Sequence, residues 1–342
     1  MKEAYKMEDK RITISDIADE LGLSTATVSN VIHGKTNKVS EKTIQKVQEL
    51  LEKRNYIPSM AGILLAQNDS GIIGVVVNCH EKYEMHVLED NFISSMLNYL
   101  SMEIEKSGKF MMIKTTDDAD EIVKYASMWN MEGLILIGFC ENDYNLLRKN
   151  MRIPFVAFDV SLTNPMRIGI VNIDNYGGGF LMGQHLKSLN HKNALCIADN
   201  EVFIDRERFE GFRDGFSDGN VDFFLIPMKK SERKAFFERR FNYICEHSAI
   251  FAVSDYYAVE IMQFLISKGV NVPADISVAG FDDTPVCTQV FPTLTTINQD
   301  VSLRAKTALH KLFELKANEN AGEVITLPLT LKKRESTDYA RK

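Results

Sequence analysis

The apolar positions of the first sixty residues recur at helical spacing three times over. Ile14, Ile17, Ala18 and Leu21 fall on one face, Val28, Val31 and Ile32 on a second, and Ile44, Val47, Leu50 and Leu51 on a third. Thr13 followed three residues later by Asp16 gives the first helix a capping box. Gly22 ends it, because glycine alone takes the left-handed turn cheaply, and Ser24 caps the second helix. The spacing predicts a helix-turn-helix. A third helix starting near Ser40 closes a small three-helix core, and Asn55-Tyr56-Ile57-Pro58 stops it. Burying Val28, Val31 and Ile32 leaves Thr25, Ala26, Ser29, Asn30 and His33 on the outer face, within reach of base edges.

From Gly71 the period changes. Continuous apolar runs at 72–77, 110–114, 133–138 and 155–158 read as buried parallel strands, alternating with helical stretches such as 92–105. A second series places strands at 194–197, 223–227, 249–253 and 277–281, with helices over 209–216 and 258–267. The economical fold is a small all-α helix-turn-helix head plus an α/β core of two doubly wound parallel-sheet subdomains. Two such halves joined by several crossings close on a small ligand like a hinged clamp. No internal repeat or low-complexity segment interrupts the pattern.

Net charge changes this picture only after it is divided. The chain carries −7, yet residues 1–66 hold ten Lys and Arg against nine Asp and Glu, leaving thirty against thirty-eight for the rest. The head is near neutral and the body acidic. Lys35, Lys38, Lys42 and Lys46 lie where the second and third helices would meet phosphates, so local placement outweighs the total. Five scattered cysteines without a CxxC, and charged first residues with no apolar leader or membrane span, point to a reducing cytoplasm.

Other patterns resolve into packing or loops. Gly177-Gly178-Gly179 with Gly183 lacks the order of a phosphate-cradling loop and reads as a helix start packed closely on the sheet. Cys79, His80 and His86 fit no common metal spacing, so no metal and no cofactor are expected. His185 and His191 bracket a helix end as polar surface, and Trp129 reads as a packing residue. Nothing supplies a nucleophile elbow, a Walker sequence or an HExxH pair, which leaves catalysis without residues to rest on.

The head words are more specific than their spacing. T-I-S-D-I-A at 13–18, L-G-L-S-T-A-T-V-S at 21–29, V-S-E-K-T at 39–43 and N-Y-I-P at 55–58 make residues 12–56 resemble the head of the lactose-repressor (LacI/GalR-type) family of bacterial transcription regulators. That resemblance implies that Thr25, Ala26 and Asn30 read the major groove, within a DNA-binding set of Ser24, Thr25, Ala26, Thr27, Ser29, Asn30 and His33. Asn30 stands where many relatives carry Arg, which exchanges a guanine partner for adenine. It further implies a hinge helix over 59–66 that pairs with its dimer mate in the minor groove, Leu65 wedging a base step. Gly62 and Ile63-Leu64 depart from the usual hinge sequence.

The body resembles the same family, whose core is periplasmic-binding-protein-like. The matching words are Phe158-Asp159-Val160, Arg208-Phe209-Glu210-Gly211-Phe212, the run from Pro273 to Asp283, Leu294-Thr295-Thr296-Ile297 and Arg334-Glu335-Ser336-Thr337. Only the stretch 79–90 looks irregular, longer and more charged than usual. By resemblance Asp159, Arg208 and Asp282 hold the effector, with Phe92 offering an apolar face and Ser254 and Asp255 in support. Carboxylates accept from adjacent hydroxyls and a guanidinium presents a donor fork, which suits a sugar or sugar phosphate. The expected domains are a DNA-binding head over 1–58, hinge and linker over 59–70, an N-subdomain over 71–171 and 301–329, and a C-subdomain over 172–300 and 330–342. The implied protein is a ligand-responsive, sequence-specific DNA-binding transcription regulator, a repressor that binds a pseudo-palindromic operator as a homodimer and is not an enzyme. The competing reading is a cytoplasmic solute-binding sensor whose head contacts a protein partner.

Overall fold

The computed structural model describes residues 12–58, 70–160 and 167–341, so the expected hinge helix and Leu65 lie outside the described residues. The chain divides into two units, Met1–Ser70 and Gly71–Lys342.

In the first unit α1 (Ile14–Leu21), α2 (Thr25–Ile32) and α3 (Glu41–Lys53) pack around Ile17, Ala18, Val28, Val31, Val47 and Leu50. The cap signals read from the sequence are all made. Asp16 N–H donates to Thr13 Oγ1 at 3.3 Å and Thr13 N–H to Asp16 Oδ2 at 2.8 Å. Gly22 turns left-handed at φ 62°, and Leu23 N–H then reaches back to the Ala18 carbonyl at 2.9 Å. Ser24 Oγ and Ser40 Oγ accept from the third amides of their helices. Arg54 closes the bundle onto Glu20 with two bonds, at 2.6 and 3.0 Å.

The second unit holds two six-stranded sheets. In the first, β1 (Ile72–Val77), β2 (Phe110–Thr115), β3 (Gly133–Ile137), β4 (Phe155–Phe158), β5 (Ile168–Ile173) and β11 (Glu323–Leu327) run parallel in the order β11-β5-β4-β3-β1-β2. Strand β1 shows why its sequence is uniformly apolar. Ile73, Val75 and Val77 face α4 (Asn91–Lys106) and α11 (Val301–Ala317), while Ile72 and Val76 face α5 (Ala119–Met128) and α6 (Glu141–Asn150). With helices on both faces no position can be polar.

The second sheet orders as β12-β10-β9-β8-β6-β7, built from β6 (Asn193–Ala198), β7 (Asn220–Leu225), β8 (Ala249–Ala252), β9 (Ser277–Asp282), β10 (Thr295–Asn298) and β12 (Thr330–Lys332). Only β12 is antiparallel to its neighbour. Helices α7 (Asn175–Ser188), α8 (Phe203–Gly215), α9 (Lys230–Cys245) and α10 (Asp255–Ser267) complete this half. The chain passes between the halves after β5, after β10 and between β11 and β12. These three crossings bring the C-terminal ends of β4, β6 and β9 toward one cleft, the position a parallel sheet reserves for ligands.

The glycine run corrects an expectation. Gly178 does meet the Phe281 ring of β9, but Gly179 and Gly183 face another helix. A Cβ on Gly179 would stand 2.1 Å from the Arg208 carbonyl, one on Gly183 2.3 Å from that of Phe212, one on Gly211 1.9 Å from that of Tyr176 and one on Gly215 2.2 Å from that of Phe180. Helices α7 and α8 therefore touch backbone to backbone. Sequence spacing marks a close approach but does not say to what.

Two further expectations fail. His185 and His191 are buried, because the C-terminal tail arrives to pair them: His185 Nε2 lies 3.0 Å from Thr337 Oγ1, and His191 Nε2 3.0 Å from the Asp338 carbonyl. Trp129 caps α5 and is 45% exposed rather than packed. The α7–α8 contact yields a direct test: Gly211→Ala should destabilise the chain by about 2 kcal/mol or more through overpacking against rigid backbone, seen as a lowered urea midpoint, whereas an unchanged midpoint would mean the helices can part freely.

Candidate functional site

In the head, Thr25, Ala26 and Asn30 are exposed along one side of α2, with Thr27, Ser29 and His33 half-buried beside them. Ser24 is exposed, and its hydroxyl is engaged in capping, 2.8 Å from Thr27 Oγ1. Lys35, Lys38, Lys42 and Lys46 are exposed on the same unit. The bundle thus offers short polar side chains on a rigid helix with cations nearby, which is the composition of a duplex-reading face.

The second unit encloses a cleft of about 530 Å³ between its halves. Its floor is a line of paired charges. Arg304, wholly buried on α11, donates Nη2 to Asp159 Oδ2 at 2.6 Å and Nη1 to Gln299 Oε1. Gln299 Nε2 donates in turn to Asp282 Oδ1 at 2.5 Å. Arg208 stands 3.8 Å from that same Asp282 oxygen, gives Nε to Asn175 Oδ1 at 2.9 Å and Nη1 to the Val253 carbonyl at 2.6 Å, and lies 3.7 Å from the centre of the Phe281 ring. Burial pushes the Asp282 carboxyl well above the usual carboxylate range, with the Arg208 guanidinium pulling the other way.

Asp159 sits at the end of β4 in a left-handed conformation, φ 56°. Its second oxygen, Oδ1, is buried in the cleft with no hydrogen-bond partner among the described residues, and so is Asn78 Oδ1 at the end of β1. Phe92 follows the Asp90 cap of α4, whose carboxylate accepts from the Phe92 and Ile93 amides, and its ring lies 5.7 Å from the Arg304 guanidinium carbon. Ser254 lines the cleft and caps α10.

Asp255 is the one expected effector residue that does not reach the cleft. It is fully buried behind the wall, where Oδ2 accepts from the Thr284 amide at 2.8 Å, Thr284 Oγ1 at 3.0 Å and Cys287 Sγ at 3.0 Å, and Oδ1 accepts from Thr296 Oγ1 at 2.6 Å. Burial still raises it to about 6 despite those donors. Asp255 staples the loop after β9 rather than facing a ligand. Its partners stand 29 to 41 residues away, beyond any local pattern.

A second group of cleft residues was not anticipated from the sequence: Lys82, Tyr83, Asp90, Asp199, Asp205 and Tyr257. Asn200 Nδ2 bridges Asp199 Oδ1 at 2.9 Å and Asp205 Oδ2 at 2.7 Å, and Tyr257 donates to Asp199 Oδ2 at 2.7 Å. Burial raises Asp205 to about 7, Arg208 opposes the rise and the neighbouring Asp199 adds to it. Burial also acts to raise Asp199, but the Lys82 ammonium and the Tyr257 hydroxyl outweigh it and hold that carboxyl low. The two carboxyls are thus pushed apart, Asp199 toward the ionised form and Asp205 toward the protonated one. Two signals were present: Asp199 ends a buried strand just as Asp159 and Asp282 do, and Arg304 is a charge on the apolar stripe that runs from Val301 through Ala305 and Ala308 to Leu312.

Among the described residues no group of three or more His, Cys, Asp or Glu is placed to hold a metal, and no helix is long and apolar enough to cross a membrane.

Comparison with known proteins agrees with this geometry. Residues 13–59 match the model of bacterial regulatory proteins, lacI family, and residues 184–337 match that of a periplasmic binding protein-like domain. The transcriptional repressor PurR of Mannheimia succiniciproducens is 28% identical over 90% of this chain and 93% of its own. The transcriptional regulator MalR of Clostridium butyricum is 26% identical over 95% and 99%. Among solved structures, the lac repressor dimer bound to operator and the anti-inducer ONPF superposes with a TM-score of 0.81 at 24% identity, covering 96% of this chain and all of that one. A regulator from Alkaliphilus metalliredigens complexed with D-xylulofuranose gives 0.68 at 25% identity over 78% of this chain and 99% of its own. The regulator CelR in complex with cellobiose gives 0.69 at 22% over 95% and 100%.

The Asp199–Asp205 pair sets a pH dependence. Asp205 titrates near 7 in the fold against an ordinary 3.8, so the fold holds a proton the unfolded chain has lost, and stability falls as pH rises between those values. Asp205→Asn, which cannot ionise, should melt at least about 2–4 °C above the parent at pH 8 and level with it at pH 4; an equal gap at both pH values would show that proton uptake is not the cause.

Proposed function

The chain belongs to the lacI family of bacterial regulatory proteins, and from that premise we propose that it is a repressor released or engaged by a small sugar. As a DNA-binding transcription regulator with a ligand-binding core it has a reader and a sensor, and the proposal concerns what each recognises. Two heads of a homodimer, in the cytoplasm, bind the half-sites of a pseudo-palindromic operator, because a two-fold protein matches a two-fold sequence. Thr25, Ala26 and Asn30 face the base edges, with Asn30 taking an adenine. The domain limits that go with this reading are the head over 1–58, the hinge and linker over 59–70, and two subdomains that share the rest.

The observation that carries the effector class is the pair of buried acceptor oxygens, Asp159 Oδ1 and Asn78 Oδ1, that line the cleft without partners among the described residues. Buried acceptors want donors. A polyol supplies hydroxyl donors at close spacing and an apolar ring face for Phe92, and a cleft of about 530 Å³ lies within the range of sugar-sized sites. The two cations that line the cleft among the described residues, Lys82 and Arg208, both face carboxylates, which favours a neutral sugar over a sugar phosphate. Relatives bound to cellobiose and to D-xylulofuranose support the same class.

Ligand closure of the halves would then change operator affinity, and by linkage the operator changes ligand affinity by the same factor. Selection of duplexes from a random pool at fixed salt, with and without a panel of neutral sugars, should recover a palindrome whose enrichment changes with one sugar. No consensus under any condition would overturn the proposal. Two variants divide it: Asn30→Arg should shift the contacted base from adenine to guanine, and Arg208→Ala should leave operator affinity intact while weakening the sugar at least about tenfold in a calorimetric titration, the loss of a buried charged donor set.

A further inference from the structure

The stretch 79–90, set apart in the sequence by its length and charge, does not stay on its own half of the core. It folds into two short 3-10 turns, Glu81–Tyr83 and Val87–Glu89, joined through Glu84 and Met85, both left-handed at φ 46° and 72°. Val87 anchors the stretch in the core of the first half, and the His86–Glu89 pair closes its second turn at 3.0 Å. Tyr83 packs on the same core, and a side-chain bond reaches the other half. Ser231 Oγ, at the start of α9 in the other half, donates to Glu84 Oε1 at 2.9 Å. Lys82, half-buried and 5.1 Å from the centre of the Tyr83 ring, lines the cleft together with Asp90 of its own half and Asp199 and Asp205 of the other.

We propose that 80–90 is a latch that ties the two halves of the core together across the cleft, with Glu84 gripping Ser231 and the Lys82 charge set in the same cleft as the Asp199–Asp205 pair. Both features bear on one connected wall of the other half. Asp199 is bonded by Tyr257, and the adjacent Tyr256 accepts from Arg233 Nη2 at 2.8 Å, two residues beyond Ser231 on the same helix. Burial works against the Lys82 charge, yet Tyr83, Asp199, Asp205 and Asp90 outweigh it, so the ammonium is held as a cation. A ligand entering the cleft passes Lys82 and Tyr83, and the latch must open and re-form around it.

The test needs neither operator nor sugar, so failure of the proposed function leaves it standing or falling by itself. Hydrogen–deuterium exchange on the full-length chain compares the parent with Glu84→Ala, Lys82→Met and the double variant, each checked for native circular dichroism. The latch predicts exchange in peptides over 80–90, and also over 199–206 and 226–233 across the cleft, faster by roughly threefold to tenfold in the double variant, as expected when a local opening is made easier. Lys82→Arg, which keeps the charge, should retain most of the protection. Unchanged exchange across the cleft in the double variant, or acceleration confined to 80–90, would overturn the proposal.

Discussion

A charge taken out of water needs a partner, and in the core one continuous line of partners runs from Asp159 through Arg304 and Gln299 to Asp282 and Arg208. It begins at the end of a strand in one sheet and finishes beside the end of a strand in the other. The rest of the cleft is arranged around it. Arg304 can be wholly buried on an otherwise apolar helix face only because both halves send it oxygen acceptors, and those acceptors arrive only because the chain crosses between the halves three times. Removing one member would leave its immediate neighbour buried and short of a partner, so each ligand contact on the cleft floor is held in place by the next residue in the line.

This interdependence explains what could be read in advance. The head was legible because everything that specifies it is local: Thr13 with Asp16, Gly22, Ser24 and Ser40 each act within four residues of where they stand. Strands such as Ile72–Val77 were equally plain, since burial on both faces leaves an uninterrupted apolar run. Strand Ile168–Ile173 was passed over because Gly169 and Asn172 break that run, although both are accommodated: Gly169 by the close approach of Lys311 and Val156, and Asn172 by its bonds to the Val160 backbone.

The site was legible in part. Asp159, Arg208 and Asp282 stand together as the resemblance implied, and Phe92 and Ser254 line the same cleft. Asp255, His185 and His191 were misread for one reason. Each is satisfied by groups far along the chain, Thr284 and Thr296 for the aspartate and the C-terminal tail for the histidines, and local spacing carries no trace of them. The carboxylate pair Asp199–Asp205 escaped notice because a strand-end residue and a helix-start residue become a pair only once the turn between them is folded.

The contact of α7 with α8 has a mechanical meaning. Side chains between two helices normally act as cushions that absorb small displacements by changing rotamer. Along the glycine seam none intervene, and carbonyls rest against glycine Cα atoms over two full turns, with the Tyr176 hydroxyl bonded to Asp214 Oδ2 at 2.9 Å beside it. The pair behaves as one rigid beam. Its near end carries Asn175 and Arg208 at the cleft, and its far end, at Leu189, receives the C-terminal tail through the Ala340 amide at 2.9 Å. The seam offers no rotamer slack between Arg208 at one end and the tail at the other, so the two ends of this half are joined through backbone rather than through adjustable side chains.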